Sequence, residues 1–147
     1  SPLDDVHTNP PSSWLDDGFA EVKTGGDVCI VSCGYTLHLA LQAHARLQEE
    51  GVECGIVDLF RAKPLDGSKL AGVLGQYKRI VTVEEQVLSG GLGSVVLESL
   101  NDAGMPLPVR RMGLEDRYYF ENGGRDFLLE LAKISPDNIY EAVQGAG

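Results

Sequence analysis

Short apolar runs alternate regularly with longer segments of helical periodicity along this sequence. The run Val28–Ser32 is almost continuously apolar, which is typical of a strand covered on both faces of its sheet. Residues 37–47 then place apolar side chains at helical spacing, and further strands are predicted over residues 52–59 and 79–84. Alternation of this kind predicts a mainly parallel sheet with helices on both faces.

The same alternation continues to the end of the chain. Thr36 is predicted to cap the first helix, and Ser135 followed by Pro136 predicts the N-cap and first turn of the last one. The remaining predicted elements are helices that follow Asp66 and cover residues 94–103 and 127–132, and a strand over residues 109–112.

A first strand is predicted over residues 19–23. The pair Gly25-Gly26 separates it from Val28–Ser32, which is typical of a β-hairpin, so we expect it to run antiparallel to the second strand. The expected fold is therefore a three-layer α/β/α domain. Its sheet has five strands in total and is mixed: most strands are parallel and one is antiparallel.

The length of 147 residues corresponds to one domain, which needs no disulfide or metal to be stable. We interpret residues 1–18, rich in Pro, Ser and Asp, as an extended arm or linker and residues 19–147 as the domain. The net charge of −10 disfavours nucleic acid and anionic membranes as partners. With neither a membrane-length apolar run nor a signal-peptide pattern, we expect a cytoplasmic protein.

Cysteine and histidine do not show metal-binding patterns. Cys29, Cys33 and Cys54 are odd in number, and we interpret them as buried, reduced thiols, with a reactive thiol at Cys33 as the alternative. His38 and His44 are six residues apart, which places them on different sides of a helix, whereas a helical metal pair favours a spacing of four.

A glycine-rich loop precedes the helix predicted over residues 94–103. Backbone amides at such a helix start can hold a phosphate. However, the third glycine of a dinucleotide fingerprint would fall at Val96, and the loop begins too far after its strand. We therefore favour a packing role, in which Gly90, Gly91 and Gly93 let the helix begin close to the sheet.

Glu84 and Glu85 end a predicted parallel strand, where open α/β sheets bind ligands. Neighbouring side chains of a strand point in opposite directions, so this is not a paired-carboxylate site. We expect one of them to face a ligand or partner and the other to accept hydrogen bonds from the next loop. A mixed-charge cluster near the last strand is typical of surface ion pairs, with an anion site as the alternative. It comprises Arg110, Arg111, Glu115, Asp116, Arg117 and Arg125.

Four motifs occur in a distinctive order. They are Gly26-Asp27-Val28, Lys63-Pro64-Leu65-Asp66, the block Thr82-Val83-Glu84-Glu85 with Gly90-Gly91-Leu92-Gly93-Ser94, and Arg111-Met112-Gly113-Leu114-Glu115-Asp116-Arg117. Together they resemble the C-terminal domain of transketolase-like, thiamine-diphosphate-dependent enzymes. This group includes transketolases, deoxyxylulose-phosphate synthases and the beta subunits of 2-oxo acid dehydrogenase E1 components. The resemblance covers residues 19–144, and the last motif is most similar to split C-terminal subunits of microbial transketolases.

The resemblance implies a role within a transferase that moves a two-carbon ketol unit in carbohydrate metabolism. Family enzymes hold thiamine diphosphate and Mg²⁺ on other domains, through a G-D-G…N motif; here Gly26-Asp27 is followed by Val28. The segment is therefore expected to contain no catalytic, cofactor-binding or metal-binding residue and to be inactive alone. Its expected partners are the remaining domains or subunit, in a homodimer or heterotetramer, and a sugar phosphate or 2-oxo acid substrate.

The resemblance also implies candidate contacts with substrate, a regulatory ligand or an interface. These candidates are Glu84, Glu85, Gln86, Gly90, Gly91, Gly93, Ser94, Arg111 and Asp116. Gln86 stands where many transketolases carry His, so the substrate within the family stays open. Two alternatives stay open as well: a deoxyxylulose-phosphate synthase or E1 beta subunit, and a stand-alone module that binds a small molecule or a protein.

Overall fold

The computed structural model describes residues 17–60, 64–87, 91–115 and 134–145, which form a five-stranded sheet in the order β1-β3-β2-β4-β5 with helices on both faces. The strands are β1 (Phe19–Lys23), β2 (Val28–Ser32), β3 (Gly55–Leu59), β4 (Arg79–Val87) and β5 (Val109–Glu115). The helices are α1 (Tyr35–Glu49), α2 (Gly67–Leu74), α3 (Leu92–Asp102) and α4 (Pro136–Gln144).

Strands β2 to β5 are parallel, and β1 pairs with β3 in the antiparallel sense. Helices α1 and α4 pack on one face of the sheet, and α2 and α3 cover the other. The central strand β2 is fully buried, which explains why its sequence lacks polar alternation. The expected fold class, a three-layer domain with a mixed and mostly parallel sheet, is confirmed.

The predicted hairpin between β1 and β2 is wrong, because β3 lies between these strands. Four residues connect Lys23 to Val28, which is enough chain to cross one intervening strand at a spacing of about 4.8 Å per strand. Gly26 has a φ of 75° and passes so close to Glu53 that a Cβ atom would clash with its carbonyl oxygen. The glycine pair therefore allows a crossing over the amino end of β3 rather than a tight turn.

The predicted cap of α1 is also wrong. Gly34 is the N-cap and Thr36 lies in the first turn, where its hydroxyl is 2.8 Å from the Cys33 carbonyl oxygen and 2.9 Å from that of Val83. Thr36 thus ties α1 to β4. The predicted cap of α4 is confirmed, since the Ser135 hydroxyl accepts a hydrogen bond from the Asn138 amide at 3.1 Å.

Element boundaries differ modestly from those expected. Strand β3 begins at Gly55 rather than at residue 52, β4 and β5 each extend three residues further, and α3 begins at Leu92 rather than at residue 94. The helix predicted over residues 127–132 lies outside the described residues. In the described ranges, no helix combines the length and the apolar character needed to cross a bilayer.

Candidate functional site at the carboxyl edge of the sheet

The carboxyl ends of the four parallel strands meet at one edge of the sheet. From this edge the chain leaves β2 for α1 on one face and leaves β4 for α3 on the other. Such a change of direction between neighbouring strands opens a crevice in which α/β proteins place ligands. The entry to the domain lies at the same edge, because Gly18 accepts a hydrogen bond from the Phe60 amide at 3.1 Å and Asp17 accepts one from the Asp66 amide at 3.0 Å.

Glu84 lies near the end of β4 with only 6% of its surface exposed. Its Oε2 atom accepts a hydrogen bond from the Gly93 amide at 3.0 Å and lies 3.4 Å from Nη2 of Arg111. The Arg111 side chain is itself 26% exposed. One carboxylate therefore joins β4, the start of α3 and β5.

A register shift in the β4–β5 pairing accompanies this contact. Val83 pairs with Met112 and Gln86 pairs with Leu114, so that Glu84 and Glu85 together lie opposite the single residue Gly113. This is a β-bulge, which changes the direction of the side chains around it and is common next to functional sites. Because of the bulge, the directions of the Glu84 and Glu85 side chains do not follow from simple strand alternation.

Burial raises the pKa of Glu84 above its ordinary value, against the opposing effects of the Gly93 amide and the Arg111 guanidinium. Desolvation of a carboxylate is costly, and here the amides of Gly93 and Leu92 and one charged neighbour offset only part of that cost. Because Glu84 is almost inaccessible, its carboxylate is suited to holding the sheet edge together rather than to contacting a substrate directly.

Gly93 leaves the space that this ion pair occupies. A Cβ atom at this position would clash with Nε of Arg111 and would lie 2.7 Å from Oε2 of Glu84. This supports the packing role that we expected for Gly93. Because its amide already donates to a carboxylate of the same chain, the geometry disfavours an external phosphate at this amide.

The other sequence candidates are partly gathered at this edge. Glu85, Gly91 and Ser94 are partly buried, and Gly91 is the N-cap of α3 with an extended backbone. The backbone of Gln86 belongs to β4, but its side chain is outside the described part of the structure. Gly90 and Asp116 lie outside the described residues, so their relation to the edge stays a prediction.

None of the three cysteine thiols is activated. Cys29 and Cys54 are buried and Cys33 is partly buried, and none of the three forms a disulfide. Burial raises the pKa of Cys33 to about 11, with further contributions from Asp58 and Glu85. At neutral pH this thiol is protonated, which disfavours the alternative of a nucleophilic Cys33.

Burial and the charge of Lys23 lower the pKa of His44, so this imidazole is uncharged at neutral pH. Across the described ranges, no group of three or more His, Cys, Asp and Glu side chains could hold a metal ion. The described residues therefore do not fit the Mg²⁺ of a thiamine-diphosphate site, and we assign no step of cofactor chemistry to them.

Sequence reasoning missed two contacts. The Glu84–Arg111 pair joins residues 27 positions apart, and predicting it requires the register of two parallel strands. The sequence pattern around Arg111 is typical of a surface cluster, whereas the structure places Arg111 against a buried carboxylate. The second is the ion pair between Asp17 and Lys69 at 2.7 Å, which fixes the domain entry to α2.

Comparison with known proteins identifies the family. The model of the transketolase C-terminal domain matches residues 18–139, and the chain belongs to this family. The 1-deoxy-D-xylulose-5-phosphate synthase of Gloeobacter violaceus is 40% identical over 128 residues, covering 86% of this chain and 20% of the relative. The same enzyme of Bacillus velezensis is 36% identical over 141 residues, covering 95% of this chain and 21% of the relative. The chain thus spans about a fifth of these relatives.

Solved structures agree with this membership. A split-gene transketolase described as an inactive beta4 tetramer superposes with a TM-score of 0.74 at 35% identity, over 87% of this chain and 41% of that one. A Pichia stipitis transketolase superposes with a TM-score of 0.61 at 20% identity, over 91% of this chain and 18% of that one, which supports the fold alone. The segment is a C-terminal domain of transketolase-type enzymes.

Proposed function

We propose that this chain is the C-terminal assembly domain, or a split C-terminal subunit, of a transketolase-type enzyme in the cytoplasm. The complete enzyme would transfer a two-carbon unit in carbohydrate metabolism with thiamine diphosphate and Mg²⁺ held by its other domains. The observation that carries this proposal is the family match over residues 18–139, combined with coverage of only about a fifth of the related enzymes. The remaining domains or subunit would be the partner, in a homodimer or heterotetramer.

Two transferase activities are candidates for the complete enzyme. The two relatives at 40% and 36% identity are named 1-deoxy-D-xylulose-5-phosphate synthases, which favours that activity. The split-gene transketolase at 35% identity keeps ketol transfer between sugar phosphates as the other candidate. Assays of the complete enzyme with both substrate sets would distinguish them.

We infer that the carboxyl edge faces the rest of the enzyme. Asp17 and Gly18 are hydrogen-bonded at this edge, so the preceding polypeptide joins the domain there. The site candidates Glu84, Glu85, Gly93 and Arg111 lie at the same edge. A contact with the cofactor-binding part would then place Glu85, Gln86 and Ser94 near the interface or near a regulatory ligand.

The test is co-sedimentation of this chain with the separately expressed thiamine-diphosphate-binding part. We expect a stable complex. Val87 and Leu88 form an apolar pair between Gln86 and Ser89 in the sequence, and replacing both by Ser should weaken the complex more than it lowers the melting temperature of the chain. Leu97 is a matched apolar control, because it is 43% exposed on α3, and Leu97→Ser should leave the complex intact. A complex that tolerates the double replacement would place the interface elsewhere, and a chain that forms no complex would favour the stand-alone module.

A further inference from the structure

Three buried polar atoms on the neighbouring strands β4 and β5 lack a hydrogen-bond partner within the described residues. Oγ1 of Thr82, Oε1 of Glu84 and Nε of Arg111 are each buried and have no hydrogen-bond partner within the described part of the chain. Thr82 is 0% exposed and Glu84 is 6% exposed. Burying such atoms without partners is unfavourable, and native proteins rarely do so.

The strand register brings these three side chains together. Thr82 and Glu84 are two residues apart on β4, and Arg111 is the residue that pairs with Thr82 on β5. Parallel neighbours in register share one face of the sheet, and Glu84 already contacts Arg111 through its other oxygen at 3.4 Å. The three side chains are therefore expected to share the face of the sheet on which Glu84 meets the start of α3.

Their chemistry is complementary to a single neutral molecule. The Glu84 oxygen only accepts, the Arg111 Nε–H only donates, and the Thr82 hydroxyl can do either. We propose that an ordered water molecule is bound here, donating to Oε1 of Glu84 and accepting from Nε of Arg111, with Thr82 as its third partner. Buried waters typically make about three such hydrogen bonds to polar groups that otherwise lack partners.

The charges of the site favour water over an ion. The carboxylate of Glu84 repels an anion, the guanidinium of Arg111 repels a cation, and together their formal charges cancel. Bound there, the water would complete the contact among β4, α3 and β5. It would thereby fix the carboxyl edge in place whether or not the chain works as an assembly domain.

The direct test is a crystal structure of the 147-residue chain at a resolution that shows ordered water. We expect a water molecule within hydrogen-bonding distance of at least two of the three atoms. The proposal is overturned if Nε of Arg111 instead bonds Oε1 of Glu84 directly, or if another residue fills the site.

Replacement of Thr82 gives a second test, in which the direction of the change in melting temperature decides the outcome. A hydroxyl without a partner is better replaced by a methyl group, so Thr82→Val would raise the melting temperature if no water were present. If the hydroxyl holds the water, Thr82→Val should instead lower the melting temperature, and Thr82→Ser should keep the water in its crystal structure. A melting temperature of Thr82→Val that rises or does not change contradicts the proposal.

Discussion

The single buried carboxylate of Glu84 contacts both α3 and β5. We predict that Glu84→Ala lowers the free energy of unfolding by about 1–3 kcal/mol, because the Gly93 amide and the Arg111 guanidinium both lose their partner. Glu84→Gln keeps an acceptor for the Gly93 amide, so we expect a smaller loss. Urea unfolding of both variants measures the difference, and equal losses would show that the amide contact is unimportant.

The raised pKa of Glu84 also has a signed pH dependence. Between the ordinary value of 4.5 and the higher folded value, the folded chain binds more protons at this site than the unfolded chain. The wild-type free energy of unfolding should therefore fall, relative to Glu84→Gln, as pH rises through that window. Parallel unfolding curves from acidic to neutral pH measure this difference. A constant difference between the two proteins would mean that Glu84 titrates normally.

Replacement by Ala is expected to have opposite effects on stability at two glycines, Gly93 and Gly72. Gly93→Ala should cost about 1–3 kcal/mol, because the new methyl group clashes with the Glu84–Arg111 pair. Gly72 lies within α2 with open space around its Cα atom, so Gly72→Ala should be neutral or stabilise the chain by up to about 1 kcal/mol. Thermal melts of both variants make the comparison, and an unchanged melt for Gly93→Ala would contradict its packing role.

Among the elements, the last helix depends on one arginine. Arg79 at the start of β4 donates hydrogen bonds to the carbonyl oxygens of Ala142, at 2.8 Å, and of Val143 at the C-terminus of α4. The Ala142 carbonyl oxygen also accepts a hydrogen bond from the Gly145 amide at 3.2 Å, and positive charge is favourable at this end of a helix. We predict that Arg79→Met, which keeps an apolar stem, costs about 1.5–3 kcal/mol in urea unfolding.

Lys78 is the matched control for that prediction. It is adjacent in sequence, but its ion pair with Asp27 spans 3.6 Å between side chains that are 79% and 70% exposed. Lys78→Met should change the free energy of unfolding by less than about 0.5 kcal/mol, since exposed ion pairs contribute little. Equal effects of the two replacements would show that the cap of α4 is not what Arg79 contributes.

Some secondary-structure elements could be predicted from the sequence and others could not. Buried strands such as β2 and a capped helix such as α4 have local signals, an apolar run or a Ser-Pro start, and both were predicted. The strand that pairs with β1 was not predicted correctly, because a glycine pair permits a wide crossing as readily as a tight turn. The Glu84–Arg111 contact was also missed, since it depends on the strand register and on a bulge that no local pattern marks.

The molecule as a whole stabilises its own sheet but depends on other domains for the proposed activity. Its described residues use their buried charges to stabilise the sheet edge and offer no metal-binding cluster. The chain spans about a fifth of the family relatives, so the proposed activity would depend on domains outside this segment. The proposed function therefore requires this chain to complement the thiamine-diphosphate-binding part of the enzyme.

The measurement that tests this claim most directly is enzymatic activity after mixing this chain with the separately expressed thiamine-diphosphate-binding part. Thiamine diphosphate and Mg²⁺ are supplied, and both 1-deoxyxylulose-5-phosphate formation and ketol transfer are assayed. We predict no activity from this chain alone and activity that appears or rises on mixing, saturating at a fixed ratio of the two parts. Activity of this chain alone, or full activity of the other part that this chain does not change, would contradict it.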